Sequence, residues 1–388
     1  MHHLEPEMDK AIQLSDRSLL GHKPKDPMLF LNGSAIYYGA SGTGKTTAIH
    51  EQMYIMRHLF PKVVVFAPTN EQNHSFSGIV PHKLIHLKLS RKKLQSIFND
   101  QMMISDLYKN VNNVDNLRDI FKEMRNHPVL SPIYYRAAET IKLKESQTAV
   151  LIQRIKTTDM SFTDKKKFEA EAITKLSDMI LNIYKGSITE NKELLLTSIK
   201  DEFKRTIIEN ISLNPNLLII LDDCVEHIKA IANSVKQRNG EHVPSIIDTI
   251  FMSGRHANIT IIVSAQDDSL ITVTMRRNNF ISIFTDSECA THFMRNAANS
   301  ISPKKRKRAE LICDAIFSDT SSANHKKLVY YRMGNDSSKF TYMIADLYPS
   351  FKMCSETVWN MCNKLEESEK TKRKQFLVRF ANSKQGAF

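Results

Sequence analysis

The sequence predicts an α/β fold: a mostly parallel sheet flanked by helices, with a mostly helical insertion. Three observations predict it. Apolar or β-branched runs recur at 34–38, 62–67, 217–221, 258–264 and 280–284, continuous rather than alternating, as strands buried on both faces are. Helical periodicity separates several of these runs, as strand–helix–strand units with parallel strands require. A glycine-rich turn, Gly39-Ala40-Ser41-Gly42-Thr43-Gly44-Lys45-Thr46-Thr47, falls between the first strand and the first helix.

That turn fits the pattern GxxxxGK[ST] at Gly39, Gly44, Lys45 and Thr46. Ser34-Ala35-Ile36-Tyr37-Tyr38 before it reads as a buried strand, and 46–60 after it as a helix of about four turns. Glycines let backbone N–H groups turn inward around a triphosphate with no side chain in the way. The helix N-terminus adds donors and a positive dipole end. Lys45 is expected to reach the β- and γ-phosphates, and the Thr46 hydroxyl to hold Mg²⁺. Residues 39–47 are therefore the expected nucleotide-binding residues, ATP and Mg²⁺ the expected ligands, and a P-loop NTPase (RecA/ASCE-like) sheet the expected fold. The rival reading is a glycine-rich turn that matches by accident; the strand before and the helix after it argue against that.

In chain order, residues 1–27 read as a polar lead-in and 28–89 as the first part of the core, with a second buried strand at Lys62–Ala67 closed by Pro68 and a short one at 84–89. Residues 90–210 change character: charged, poor in glycine and helical in period. Ile173, Leu176, Ile180 and Ile183 keep one face apolar, as do Leu196, Ile199, Phe203 and Ile207. Thr163 is the expected cap of the first of these helices, and Gly186-Ser187 the expected break between them. Lys165-Lys166-Lys167 reads as a solvated face. Residues 211–350 form the second part of the core, ending in two runs, 327–332 and 339–345, that predict a terminal β-hairpin. Residues 351–388 read as a helical, basic tail.

Leu217-Leu218-Ile219-Ile220-Leu221-Asp222-Asp223 supplies the second half of a nucleotide site. A hydrophobic strand places a carboxylate at its C-terminal edge, where open α/β sheets bind ligands. Asp222 is the expected metal acid, holding Mg²⁺ through water, and Asp223 the residue that orients and polarises the attacking water. A strand ending in two acids is common by itself; the loop upstream gives the pair its meaning. Gln266, at the end of the next strand, is the expected γ-phosphate sensor, its alternative being a polar residue that merely ends a strand. Arg255, in Ser253-Gly254-Arg255-His256-Ala257-Asn258, is the expected guanidinium supplied in trans, with Arg276 and Arg277 as rivals. His256 has no metal-ligand spacing around it. The run Pro303-Lys304-Lys305-Arg306-Lys307-Arg308 reads as a nuclear-import signal, a phosphate-binding patch or a solvated loop.

Composition bounds the rest. Lys plus Arg total 54 against 42 acids, a net charge of +12, which favours an anionic partner such as nucleic acid and is equally met by solubility alone. No apolar run approaches the roughly 20 residues of a membrane span, and the start has no apolar signal segment. Five cysteines, an odd number without CxxC pairs, argue against a disulfide framework or a zinc ribbon and for a reducing, intracellular setting.

The order GASGTGKT, LLIILDD, SGRHANITIIVSAQD and MRRN before a strand resembles the genome-packaging ATPases of large double-stranded DNA viruses, the poxvirus-type branch of the FtsK–HerA motor group. The GRH segment leading into an apolar strand that ends in Gln is the most specific part. The resemblance covers roughly residues 30–285 and leaves the helical stretch 90–210 and the chain after 300 unexplained. It implies Lys45 and Thr46 as phosphate and metal ligands, Asp222 and Asp223 as the acid pair, Gln266 as sensor and Arg255 as the matching arginine. It further implies a homo-oligomeric ring of five or six subunits that pumps double-stranded DNA into a preformed capsid at a portal or vertex protein. Other P-loop enzymes fit less well. A guanine-reading NKxD is absent, since Asn191-Lys192-Glu193-Leu194 lacks the Asp. A helicase shares this core and stays open as an alternative. A capsid or scaffold protein that retained the fold without turnover would not need Lys45, Thr46 and both acids.

Overall fold

The structure, a computed structural model, describes residues 12–14, 19–20, 26–233, 244–299, 301–318, 326–332, 340–345 and 348–385. Most of the expected lead-in and the turn 333–338 of the expected hairpin lie outside these residues. In chain order the strands are β1 (Ile12–Gln13), β2 (Leu19–Leu20), β3 (Ser34–Tyr38), β4 (Lys62–Phe66), β5 (Ile85–His86), β6 (Leu217–Leu221), β7 (Ile259–Ala265), β8 (Ile281–Phe284), β9 (Lys326–Tyr331) and β10 (Phe340–Ile344). The helices are α1 (Lys45–Met56), α2 (Asn70–Asn73), α3 (Arg91–Val111), α4 (Val114–Glu123), α5 (Ser131–Thr157), α6 (Phe162–Glu190), α7 (Lys192–Ser198), α8 (Glu202–Glu209), α9 (Val225–Asn233), α10 (Ile246–Ser253), α11 (Val273–Asn278), α12 (Ser287–Arg295), α13 (Pro303–Phe317) and α14 (Glu356–Gln385).

The chain divides into two compact units, residues 1–102 with 216–388 and residues 103–215. The first holds an eight-stranded sheet in the order β10-β9-β8-β3-β7-β6-β4-β5. The run from β8 to β5 is parallel, and β9 and β10 close one edge antiparallel. The residues of β3, β6, β7 and β8 are buried throughout. Successive strand residues face opposite layers. Ile36 and Tyr38 join a core with α10, α12 and α13, whereas Ala35 and Tyr37 join one with Ile49, Met53 and Met56 of α1. This double burial explains why the strands read as continuous apolar runs.

One relationship in the order positions the site. Strand β7 lies between β3, which leads into the glycine-rich turn, and β6, which carries the acid pair. The C-terminal ends of β3, β7 and β6 therefore share one edge.

The second unit is wholly helical among its described elements. Its core gathers Val111, Leu117, Ile120, Phe121, Tyr184 and Ile188, with the Phe121 and Tyr184 rings 4.9 Å apart. The expected insertion, 90–210, starts too early: the first turns of α3 belong to the sheet unit, where Leu94 and Ile97 join the core and Gln101 Nε2 donates to Ala257 O at 2.9 Å. Two expected boundaries are also corrected. Ser161, not Thr163, caps α6, its hydroxyl accepting from Asp164 N at 3.1 Å. Helix α6 then runs through Gly186 and Ser187 to Glu190. A helical glycine costs about 1 kcal/mol, and the flanking Tyr184 and Ile188 are buried in the core. The apolar stripe 196–207 is not one helix. Asp201 caps a new one, accepting from Lys204 N at 2.9 Å, and Phe203 faces solvent.

Candidate nucleotide site

The loop turns on two left-handed glycines, Gly42 (φ +80°) and Gly44 (φ +86°), conformations that cost an L-residue with a side chain about 1–2 kcal/mol. Gly39 is glycine for a different reason. A Cβ there would sit 1.8 Å from Thr285 Oγ1 and 2.5 Å from Thr43 Oγ1. Helix α1 begins at Lys45 directly after Gly44, so its first N–H groups face the loop interior. The Lys45 ammonium donates to Gly39 O at 2.7 Å and Ala40 O at 2.8 Å, lying across the loop.

The acids meet the loop at this edge. Asp222 is 4% exposed; its Oδ1 accepts from the Ser264 hydroxyl at 2.6 Å and its Oδ2 from the Thr46 hydroxyl at 3.1 Å. Burial pushes its carboxyl above the ordinary value, opposed by the bonds from Ser264 and Thr46. Asp223 takes a left-handed backbone (φ +57°), and its N–H donates to Ser264 Oγ at 3.0 Å. Ser264 thus orients both acids, accepting from one backbone and donating to the other side chain. Gln266, exposed, follows β7 on the same edge. Ser41, Gly42, Gly44, Lys45, Thr46 and Thr47 line one cavity of about 320 Å³ together with Asp222, Asp223, Ser264 and Gln266. Of the expected nucleotide-binding residues, Gly39, Ala40 and Thr43 do not line it. Thr43 Oγ1 is engaged with Ala40 O at 2.9 Å and Thr285 Oγ1 at 2.6 Å, and Ala40 N with Asp286 Oδ2 at 2.8 Å.

Sequence reasoning missed Ser264, Thr285 and Asp286, and also Thr69 and Asn73, which line the cavity from the segment after β4. A polar residue inside an apolar strand (Ser264) and a Thr-Asp pair closing another (285–286) were the available signals.

Arg255 is not brought to this site. It lies exposed in the turn Gly254–Ala257 before β7, with Nε 3.3 Å from His256 Nε2. The seven residues of β7, about 23 Å at strand rise, separate that turn from Gln266. Arg255 and Arg277 instead line, with Arg332, a cavity of about 700 Å³ at the opposite edge of the sheet. Arg276 is removed as a rival: it is 9% exposed and its Nη1 pairs with Asp268 Oδ2 at 2.8 Å. Of the basic run 303–308, Pro303 opens α13 and Arg306 Nε donates to Ile301 O at 3.0 Å; the side chains of 304 and 305 lie outside the described residues.

The residues present fit a magnesium–triphosphate. Thr46 and Asp222 bring a hydroxyl and a carboxylate within 3.1 Å of each other beside a cationic, glycine-lined cradle, the donor set Mg²⁺ takes when phosphate oxygens and water complete its shell. Fold and site together define a P-loop NTPase of the ATPase type, in which one strand separates the phosphate-loop strand from the strand bearing the acid pair.

No family model matches the chain. In sequence it is similar to protein B354L of African swine fever virus, with 27% identity over 354 residues, 88% of this chain and 90% of the viral protein, in isolate Tick/Malawi/Lil 20-1/1983 and equally in strain Badajoz 1971 Vero-adapted. Among solved structures it is similar to the pCW3 conjugation coupling protein TcpA with ATPγS (10% identity, TM-score 0.35, 92% of this chain and 70% of that one). It is also similar to the genome packaging NTPase B204 from Sulfolobus turreted icosahedral virus 2 (14% identity, TM-score 0.22, 40% and 65%). At TM-scores this low, the class rests on the sheet order and loop geometry described above.

Proposed function

We propose that the chain is an ATP-driven translocase on double-stranded DNA that packages a viral genome into a preformed capsid. The observation that carries the ATPase part is the meeting of Lys45, Thr46, Asp222, Asp223 and Gln266 around one cavity, from three different strand ends. Lys45 exchanges its two loop carbonyls for phosphate oxygens when ATP binds. Backbone N–H groups of the cavity-lining residues Gly42, Gly44, Lys45 and Thr46 bind the remaining phosphate oxygens. Thr46 and Asp222 would hold Mg²⁺, which when bound would neutralise charge on the phosphates. Asp223 orients a water in line with the γ-phosphate and accepts its proton. Gln266, at the exit of the intervening strand, hydrogen-bonds the γ-phosphate and reports its loss to β7. Arg255, on the far edge of its own sheet, serves the site of a neighbouring copy in a ring of five or six subunits, where a guanidinium offsets charge built during transfer.

The DNA part is supported by the net charge of +12 and by the resemblance of the GRH-strand-Gln segment to viral packaging motors. A capsid portal or vertex protein is the partner this reading requires, and an intracellular site of assembly its setting. No helix among the described residues is long and apolar enough to cross a membrane.

The deciding experiment measures ATPase activity of the full chain with duplex and with single-stranded DNA, while sizing the assembly. Stimulation by duplex DNA in an oligomeric fraction is expected. Stimulation only by single strands would favour a helicase, and turnover indifferent to DNA would overturn translocation.

A further inference from the structure

Asp286 is the N-cap of α12, and it divides its two carboxylate oxygens between two elements. Oδ1 accepts from Cys289 N at 2.8 Å, capping its own helix, and Oδ2 accepts from Ala40 N at 2.8 Å, in the phosphate loop. Its neighbour Thr285 adds to the contact. Thr285 N donates to Tyr38 O at 2.9 Å, and its hydroxyl lies 2.6 Å from Thr43 Oγ1. The loop is thus gripped from outside at residues 38, 40 and 43, while its cavity-facing residues stay clear. The absence of a Cβ on Gly39 makes this approach sterically open.

The peptide unit between Gly39 and Ala40 shows what the grip does. Its N–H points to the Asp286 carboxylate and its C=O to the Lys45 ammonium, 2.7 Å away. In a trans peptide these two groups point in opposite directions. While Lys45 rests on the loop carbonyls this peptide is held between a negative and a positive group, and once Lys45 turns to phosphate the Asp286 side of the grip remains. The same first turn of α12 touches the sensor strand's exit, because Cys289 Sγ donates to Gln266 O at 2.9 Å.

We propose that Asp286 is a positioning residue of the phosphate loop, and that it needs both carboxylate oxygens: one to hold α12, one to hold the 39–40 peptide. The inference rests on the reading of the cavity as an ATP site. It has a distinctive chemical consequence. Asn has one acceptor oxygen, and its amide nitrogen would face a second N–H donor. Ser offers a single oxygen on a shorter stem. Both are good helix caps, so both keep α12 and release the loop.

The test compares ATP binding and steady-state turnover of the full chain carrying Asp286→Asn, Asp286→Ser or Thr285→Val with wild type, and follows thermal unfolding of each. The expected result for both Asp286 variants is a KM for ATP raised about tenfold or more, the size of one lost hydrogen bond to a charged group, with kcat changed less and an unfolding temperature close to wild type. Thr285→Val should shift KM in the same direction. Unchanged KM and ATP affinity in folded Asn and Ser variants would reduce Asp286 to a helix cap and overturn the inference, leaving the ATP reading intact. Wild-type protein that neither binds nor hydrolyses ATP would overturn the ATP reading, and the inference with it.

Discussion

Thr46 and Asp222, 176 residues apart in sequence, meet where the Thr46 hydroxyl donates to Asp222 Oδ2 at 3.1 Å. This contact joins the phosphate loop to the acid strand, and Lys45 lies one residue away on the same loop. Replacing Lys45 with Ala should abolish productive nucleotide binding, since no other cation lines the cavity among the described residues. Binding of a fluorescent ATP analogue measures it; retained affinity would remove Lys45 from its assigned place.

Asp223 calls for a substitution that respects its backbone. At φ +57° it occupies the left-handed region, which Asn tolerates nearly as well as Asp. Asp223→Asn should therefore fold and bind ATP normally while kcat falls about 10²-fold or more, the usual worth of a positioned general base. Normal turnover in a quench-flow assay would reassign the base.

Arg255 and Gln266 stand at opposite ends of β7. If Arg255 acts, it acts on another copy. Arg255→Ala should lose DNA-stimulated hydrolysis only in the assembled state, and mixing it with Asp223→Asn subunits should restore part of the activity, because each supplies what the other lacks. Isolated subunits that lose activity to the same degree would rule out action in trans.

Asp268 anchors the segment after Gln266, and its carboxylate accepts from Arg276, His292, Asn296 and Asn299 at 2.7–2.8 Å. Burial works to raise its carboxyl, but these donors hold it below the ordinary value of 3.8. Near that pH the folded state binds fewer protons than the unfolded chain, so the stability Asp268 supplies is complete above about pH 4 and drains away as pH falls through the depressed value. Asp268→Asn should cost about 3 kcal/mol or more at pH 7 by stranding the buried Arg276, and its unfolding temperature should fall less steeply with acid than wild type. Parallel pH profiles for the two proteins would contradict this.

Much of the site was legible because it depends on short-range chemistry. The glycine pattern, the apolar strand before it and the helix after it are local, and so is the strand ending in Asp222-Asp223. The misplaced boundaries in the helical unit show the limit of periodicity. One apolar spacing from 196 to 207 is shared by two helices, because Asp201 satisfies backbone donors and restarts the chain there. Arg276 and Arg277 are neighbours with opposite surroundings, one buried on Asp268 and the other exposed at the far cavity. A turn of about 100° per helical residue separates them, and composition alone assigns neither.

By itself the sequence determined which segments form the eight-stranded sheet, where the glycine-rich loop falls and which two acids end a strand, since φ/ψ preference and hydrophobic period act over a few residues. Only the tertiary structure decided that β7 lies between β3 and β6, that Ser264 tethers both acids, that Asp286 reaches back 246 residues to Ala40, and that Arg255 faces away from its own cavity. Those facts follow from which strands pair side by side, and hydrogen-bond partners so far apart in sequence leave no trace in local spacing.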